Sequence, residues 1–162
     1  GIRCVVRAGG QVILLGSAPD PEIQARFEAL EAELKPSGRA AFHFGFDEPL
    51  AHLVYAAADS IFVPSLFEPC GLTQMIGMRY GAVPIVRATG GLKDTVTEGE
   101  NGFTFESSEE MEHTLESAVH LYQSDPAKWK TVALKGAGGN YSWENSARKY
   151  LTLLELYEYS SD

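Results

Sequence analysis

Short apolar runs and amphipathic helix patterns alternate along this chain, and that alternation restricts it to one kind of fold. The runs are QVILLGS (11–17), AAFHFGF (40–46), SIFVP (60–64), VPIVR (83–87) and FTF (103–105). Apolar runs this short, bounded by Gly, Pro or Asp, read as buried strands. Between the first two, Asp20 and Pro21 read as an N-cap and first helical residue, and Ile23, Phe27, Leu30 and Leu34 share one helix face. Pro36 and Gly38 stop that helix. Asp47 caps the next, which carries Leu50, Leu53, Val54 and Ala57. Residues 72–80 form a third helix, ended by Gly81, and residues 89–96 a glycine loop with one short helix. Beyond Ser107, which with Glu110 can form a capping box, the chain is helical. Met111, Leu115, Ala118 and Tyr122 make an inner stripe, Asp125 and Pro126 start another helix, and Ser142 caps a last one with Ala147, Leu151 and Leu154 on one face. Strands alternating with helices predict an α/β fold, a Rossmann-like parallel sheet with helices on both faces.

The chain has 162 residues, enough for one domain with a sizeable core. Its formal charge of −9 disfavours nucleic acid and anionic membranes as partners, because phosphate neutralisation needs a basic stripe. A small nucleotide is not excluded, since it needs only local donors. Two cysteines, Cys4 and Cys70, are too few for a disulfide framework. Those two and four scattered histidines make a poor metal site. No apolar run of about 18 residues marks a membrane span. The opening GIRCVVRAGG reads like the end of a helix, so a fragment of a longer protein is expected.

In a parallel sheet, ligands bind beyond the carboxyl ends of the strands. Three features fall there: Gly45, Phe46 and Asp47; Glu68 to Thr73; and Thr89, Gly90 and Gly91. The helix expected to start near Gly71 has first-turn N–H groups without intrahelical partners, and its dipole favours an anion such as phosphate. Gly71 lets a ligand approach the backbone, and Thr73 adds a hydroxyl. Glu68 cannot bind phosphate, but it can hold the hydroxyls of a sugar attached to one. Cys70 has no histidine near it in sequence to act as a base. Read singly, Pro69, Cys70 and Gly71 are more commonly a loop and helix start than a site, and Gly90 with Gly91 is as often a tight turn. The shared position at one sheet edge is the stronger argument.

The run FEPCGLTQMIGMRYGAVPIVRATGGLKDTV (67–96) resembles the signature of starch synthases and bacterial glycogen synthases. GQVILLGSAPDPEIQ (10–24), DEPLAHLVYAAAD (47–59), NGFTF (101–105) and YSWENSARKYLTLLELY (141–157) are similar to the same family. SAPDPEIQ and GLTQM look closest to the plant and algal classes III and IV. The resemblance implies one half of a two-domain GT-B glycosyltransferase: residues 1–162 as most of the carboxy-terminal, donor-binding domain. It implies retaining transfer of glucose from ADP-glucose to the non-reducing end of an α-1,4-glucan, with no metal and no other cofactor.

By position, Glu68 would contact the donor glucose and stabilise the developing cationic sugar. The backbone at Cys70, Gly71 and Leu72 would hold glucose hydroxyls and phosphate, Thr73 the phosphate, and Gly45, Phe46 and Asp47 the adenine. The family often has Tyr at position 46; Phe46 keeps the stacking face and loses the hydroxyl. The acceptor domain and the Arg and Lys that clamp the diphosphate are expected outside these residues. A plant or algal source implies the plastid, a bacterial source the cytoplasm. Two other readings remain: a non-catalytic nucleotide-sugar or glucan binding module, and a related GT-B transferase using another nucleotide sugar.

Overall fold

Caps and breakers set most element boundaries. The computed structural model describes residues 1–159. A short helix α1 (Ile2–Arg7) leads into strand β1 (Val12–Leu15). Helix α2 (Pro21–Leu34) begins where Asp20 Oδ1 accepts from the N–H groups of Glu22 and Ile23, at 2.8 and 3.3 Å. Pro21 sits at a position that needs no N–H. The helix runs into a 3-10 turn, Lys35–Ser37, closed by Gly38 at φ 62°. Strand β2 (Ala40–His43) follows, then α3 (Glu48–Ala57), capped by Asp47 Oδ1 accepting from Leu50 N–H at 2.9 Å. Strand β3 (Ser60–Val63), helix α4 (Thr73–Tyr80), strand β4 (Val83–Arg87), helix α5 (Gly90–Thr95) and strand β5 (Phe103–Phe105) complete the alternation. Helices α6 (Ser108–Ser124), α7 (Pro126–Ala137) and α8 (Trp143–Tyr159) end it. At the start of α6, Ser107 Oγ accepts from Glu110 N–H at 3.1 Å. Glu110 Oε2 reaches Glu106 N–H at 2.8 Å, one residue earlier than a capping box would use.

Every strand pair is parallel, as the alternation predicts. The strands fall into two sheets, however: β1–β2, and β3–β4–β5. Val12 lies opposite Ala40, Ser60 opposite Val83, and Ile85 opposite Phe103. β4 is central to its sheet yet contains Pro84. The Val83 N–H points to β3, where it reaches Asp59 O, and the Ala88 N–H points to β5, where it reaches Phe105 O. The nitrogen of Pro84 therefore faces the β5 side, one residue before that pairing begins, and no ladder bond is lost.

The core surrounds the three-stranded sheet. On one side Cys4, Val83, Ile85, Phe105, Leu115, Ala118, Trp129 and Val132 pack together. On the other, Val63, Val86, Leu92 and Val96 form a smaller cluster. Helix α6 presents Leu115 and Ala118 inward and leaves His113 and His120 exposed, as its periodicity predicts. Helix α8 differs from expectation. Its cap forms, with Asn145 N–H donating to Ser142 Oγ at 3.4 Å, but Leu151 and Leu154 stay 58% and 62% exposed.

Phe105 is 2% exposed, packs at 6.0 Å from the Phe62 ring and lies beneath the Arg87 guanidinium. Phe105→Ala should cost about 3–5 kcal/mol. Urea unfolding measures it, and a loss below about 1 kcal/mol would take Phe105 out of the cooperative core.

Candidate functional site

The loop between β3 and α4 is held in shape by glycines and by its own carboxylate. Glu68 Oε1 accepts from Gly71 N–H at 3.1 Å, and Glu68 Oε2 from the Ser65 hydroxyl at 3.4 Å. The Glu68 carbonyl accepts from Gly91 N–H at 3.0 Å. A Cβ at Gly90 would sit 1.9 Å from that carbonyl oxygen, and one at Gly91 2.0 Å from the Cys70 carbonyl oxygen. Gly90 and Gly91 are thus more than a turn: they are where the 68–70 backbone lies against α5. Gly71 adopts φ 70°, and a Cβ there would press within 2.6 Å of the Gln74 amide.

Helix α4 begins at Thr73, one residue later than the expected 72–80 helix, and Glu68 engages Gly71 in the loop before it. Ile76 N–H is the first to find an intrahelical carbonyl, Leu72 O at 2.9 Å. No side chain caps the N–H groups before it, whereas α2, α3, α6 and α7 all carry Asp or Ser caps. Those free donors and the helix dipole make a position suited to an anion. Thr73 and Cys70 are exposed beside it, and Glu68 is half-buried. The arrangement can take a phosphate at the helix start while the carboxylate meets neutral hydroxyls next to it.

Neither thiol is set up as a nucleophile. Among the described residues no hydrogen bond joins Cys70 to a histidine. Cys4 is buried, donates to the Glu112 carbonyl at 3.5 Å, and has its pKa raised first by burial, then by the Glu116 and Glu112 carboxylates.

Gly45, Phe46 and Asp47 stand at the end of β2, in the other sheet, and no hydrogen bond joins them to residues 68–73 among the described residues. Phe46 is 92% exposed. Gly45 takes φ 135°. The Asp47 carboxylate is occupied, capping α3 and lying 3.8 Å from His43 Nε2. Nearby, Leu14, Gly16, Ser17, Ala18, Gln24, Phe27 and Phe44 line an open hollow of about 220 Å³.

Sequence reasoning missed two polar residues. Gln74 is fully buried; its Nε2 donates to Thr95 Oγ1 at 2.9 Å, and that hydroxyl donates to Gly91 O at 2.8 Å. This chain ties the start of α4 to the glycine turn, and leaves Gln74 Oε1 buried without a partner. A polar residue in a helix pattern reads as surface, so only the polar identity at an inward position could have signalled it. Arg87 is the second. It lies at the same sheet edge, but its guanidinium donates to the carbonyls of Pro64 and Glu106.

A parallel α/β domain with a glycine turn, an uncapped helix start and a carboxylate at the carboxyl edge of its strands is a Rossmann-type ligand-binding domain. The family model for glycosyl transferases group 1 matches residues 7–135, and the chain belongs to that family. It is 44% identical over 153 residues to a probable starch synthase 4, chloroplastic/amyloplastic, of Arabidopsis thaliana, covering 88% of this chain and 15% of that protein. It is 46% identical over 163 residues to a probable glycogen synthase 2 of a Synechocystis species, covering 93% of this chain and 33% of that protein. The solved catalytic domain of starch synthase IV from Arabidopsis thaliana, bound to ADP and acarbose, superposes with a TM-score of 0.84 at 42% identity over 91% of this chain and 32% of that one. The fold is accordingly one Rossmann-like half of a GT-B glycosyltransferase.

Proposed function

We propose that this chain is the carboxy-terminal, donor-binding half of an ADP-glucose-dependent starch or glycogen synthase. The observation that carries the reading is the Glu68 loop seated on Gly90 and Gly91 at the uncapped start of α4. Likeness to a synthase domain bound to ADP and acarbose supports it.

On this reading the α4 start holds the diphosphate through the N–H groups near Leu72 and the Thr73 hydroxyl. The backbone at Cys70 and Gly71 lies along the glucose, and Glu68 stands beside the anomeric carbon. Gly45 and Phe46 receive the adenine, with Asp47 fixing their turn through its cap of α3. The donor is the substrate, and no resident cofactor is required. The whole enzyme transfers glucose with retention to an α-1,4-glucan. The acceptor domain and the cations that clamp the diphosphate belong to the remaining length of such an enzyme, of which this chain spans 15% to 33% in the relatives. The compartment follows the source: plastid in a plant or alga, cytoplasm in a bacterium.

Calorimetric titration of the 162-residue polypeptide with ADP, ADP-glucose and UDP-glucose tests the assignment. ADP should bind weakly and in preference to the uridine nucleotide. Each absent charge-assisted hydrogen bond is worth about 1.5–3 kcal/mol. Affinity about a hundredfold or more below that of a full-length synthase is therefore expected. Labelled ADP-glucose and a primer should give no transfer with this polypeptide alone. Equal or better binding of UDP-glucose would reassign the donor, and affinity equal to the full-length enzyme would overturn the half-site reading.

A further inference from the structure

Among the described residues, Gln74 is the one polar side chain that is fully buried, and its Oε1 is the one buried side-chain oxygen without a partner. An orphaned buried acceptor lowers stability. Met at this inward position of α4 would fill similar space without that loss. What the amide touches gives a reason for it.

It stands behind both supports of Glu68. The first is Gly71. A Cβ there would fall 2.5 Å from Gln74 Nε2 and 2.6 Å from its Oε1, so the amide occupies the place of a side chain at residue 71. It backs the Gly71 peptide, held at φ 70°, whose N–H donates to Glu68 Oε1 at 3.1 Å. The second support is Gly91. Gln74 Nε2 donates to Thr95 Oγ1 at 2.9 Å, and that hydroxyl donates to Gly91 O at 2.8 Å. Gly91 N–H in turn donates to Glu68 O at 3.0 Å.

Thr95 gives this relay a fixed end. Its carbonyl accepts from Asn101 Nδ2 at 2.9 Å and from the Tyr141 hydroxyl at 3.2 Å. Asn101 Oδ1 accepts from Thr97 N–H at 2.7 Å. The apolar packing beside it, at Leu92 and Val96, is non-directional and resists separation more than sliding. A hydrogen bond has a required length and angle, so the Gln74–Thr95 bond can set how the α4 start lies along the glycine turn.

We propose that Gln74 is a positioning residue for Glu68: its amide fixes the α4 start against the Gly90–Gly91 turn and thereby places the carboxylate beside the reacting sugar carbon. The proposal rests on the reading of Glu68 given above. Gln74 is fully buried and meets no ligand itself, so it acts through Gly71 and Thr95.

Gln74→Met keeps bulk against Gly71 and removes the amide. In the 162-residue chain, the Gly71 and Gly91 N–H groups of this variant should exchange about tenfold faster than in the unsubstituted chain, read by NMR. The melting temperature should not fall, because the orphaned oxygen leaves with the amide and Thr95 Oγ1 keeps its bond to Gly91 O. In a full-length synthase carrying this domain, kcat should fall by about tenfold or more while KM for ADP-glucose stays within about twofold. Thr95→Val breaks the same relay, so the double variant should lose no more kcat than the worse single one. All rates are taken at a temperature where every variant is folded. Unchanged kcat in Gln74→Met, losses that multiply in the double variant, or Gly71 and Gly91 amides as slow as before would overturn the proposal. Glu68→Gln, run alongside, separates the two readings. A loss of turnover there with none in Gln74→Met overturns the positioning role alone, whereas near-normal turnover in Glu68→Gln overturns the Glu68 reading and this proposal with it.

Discussion

In a full-length synthase carrying this domain, Glu68→Gln should lower turnover by about 10²–10³ while leaving ADP affinity nearly unchanged. In the proposed arrangement the carboxylate would lie on the sugar side of the α4 start, away from the phosphate. Positive charge grows at the anomeric carbon in the transition state, and a carboxylate held beside it lowers that barrier. Stability should hardly move. Gln retains an Oε1 that can accept from Gly71 N–H, the bond that Glu68 makes at 3.1 Å. Glu68→Ala removes that acceptor and should cost about 1–2 kcal/mol in addition. Turnover, ADP affinity and melting temperature on both variants separate the roles. Near-normal turnover in the Gln variant, with only the Ala variant destabilised, would reduce Glu68 to a loop tie.

Gly91→Ala should be nearly as damaging, though position 91 touches no substrate in the proposed arrangement. The new methyl would start 2.0 Å from the Cys70 carbonyl oxygen and 2.4 Å from its carbon, both backbone atoms that cannot rotate away. The loop must move, and it carries Glu68 with it. A displacement of about 1 Å at a positioned group costs about 10² in rate, so turnover in the full-length enzyme should fall by that order. Overpacking adds a stability loss of about 1–3 kcal/mol. Gly138→Ala is the control: its Cβ would meet nothing closer than 3.4 Å, and its φ is −77°. Turnover unchanged in Gly91→Ala, measured at a temperature where the variant is folded, would show that the loop does not depend on this contact.

The Gly91 prediction rests on a contact that the local sequence does not contain. Gly90 and Gly91 are twenty or so residues from Glu68, and read in isolation they are a turn. The parallel pairing of β3 with β4 places their carboxyl ends side by side, and only then do the following loops meet. Gln74 shows the same limit. Its burial follows from α4 lying against α5, where Thr95 supplies the partner for its Nε2.

Much of the fold was nevertheless legible, because it is decided within a few residues. Asp20, Asp47, Ser107 and Asp125 bond the N–H groups of the next turn, so each helix start is written locally. Gly81 ends α4 at φ 90°, a conformation that disfavours other residues. The alternation of apolar runs with helical periods required parallel strands, since each crossover returns the chain to the same edge. The expectation that candidate residues gather at the strand ends followed from that topology.

Strand lengths, the exposed α8 face and the split sheet were not legible. Strand ends depend on where a neighbour stops bonding: β2 closes at His43, the last residue it pairs with β1, opposite Leu15. The face of α8 is apolar by pattern, but no pattern states what covers it. The sequence by itself therefore determined the elements, their parallel order and the residue types at one edge, because caps, breakers and periodicity act over one or two turns. Tertiary structure alone decided that Glu68 is held against Gly91, that Gln74 is buried, and that the strands part into β1–β2 and β3–β4–β5, because those facts depend on which distant backbones come within hydrogen-bond reach.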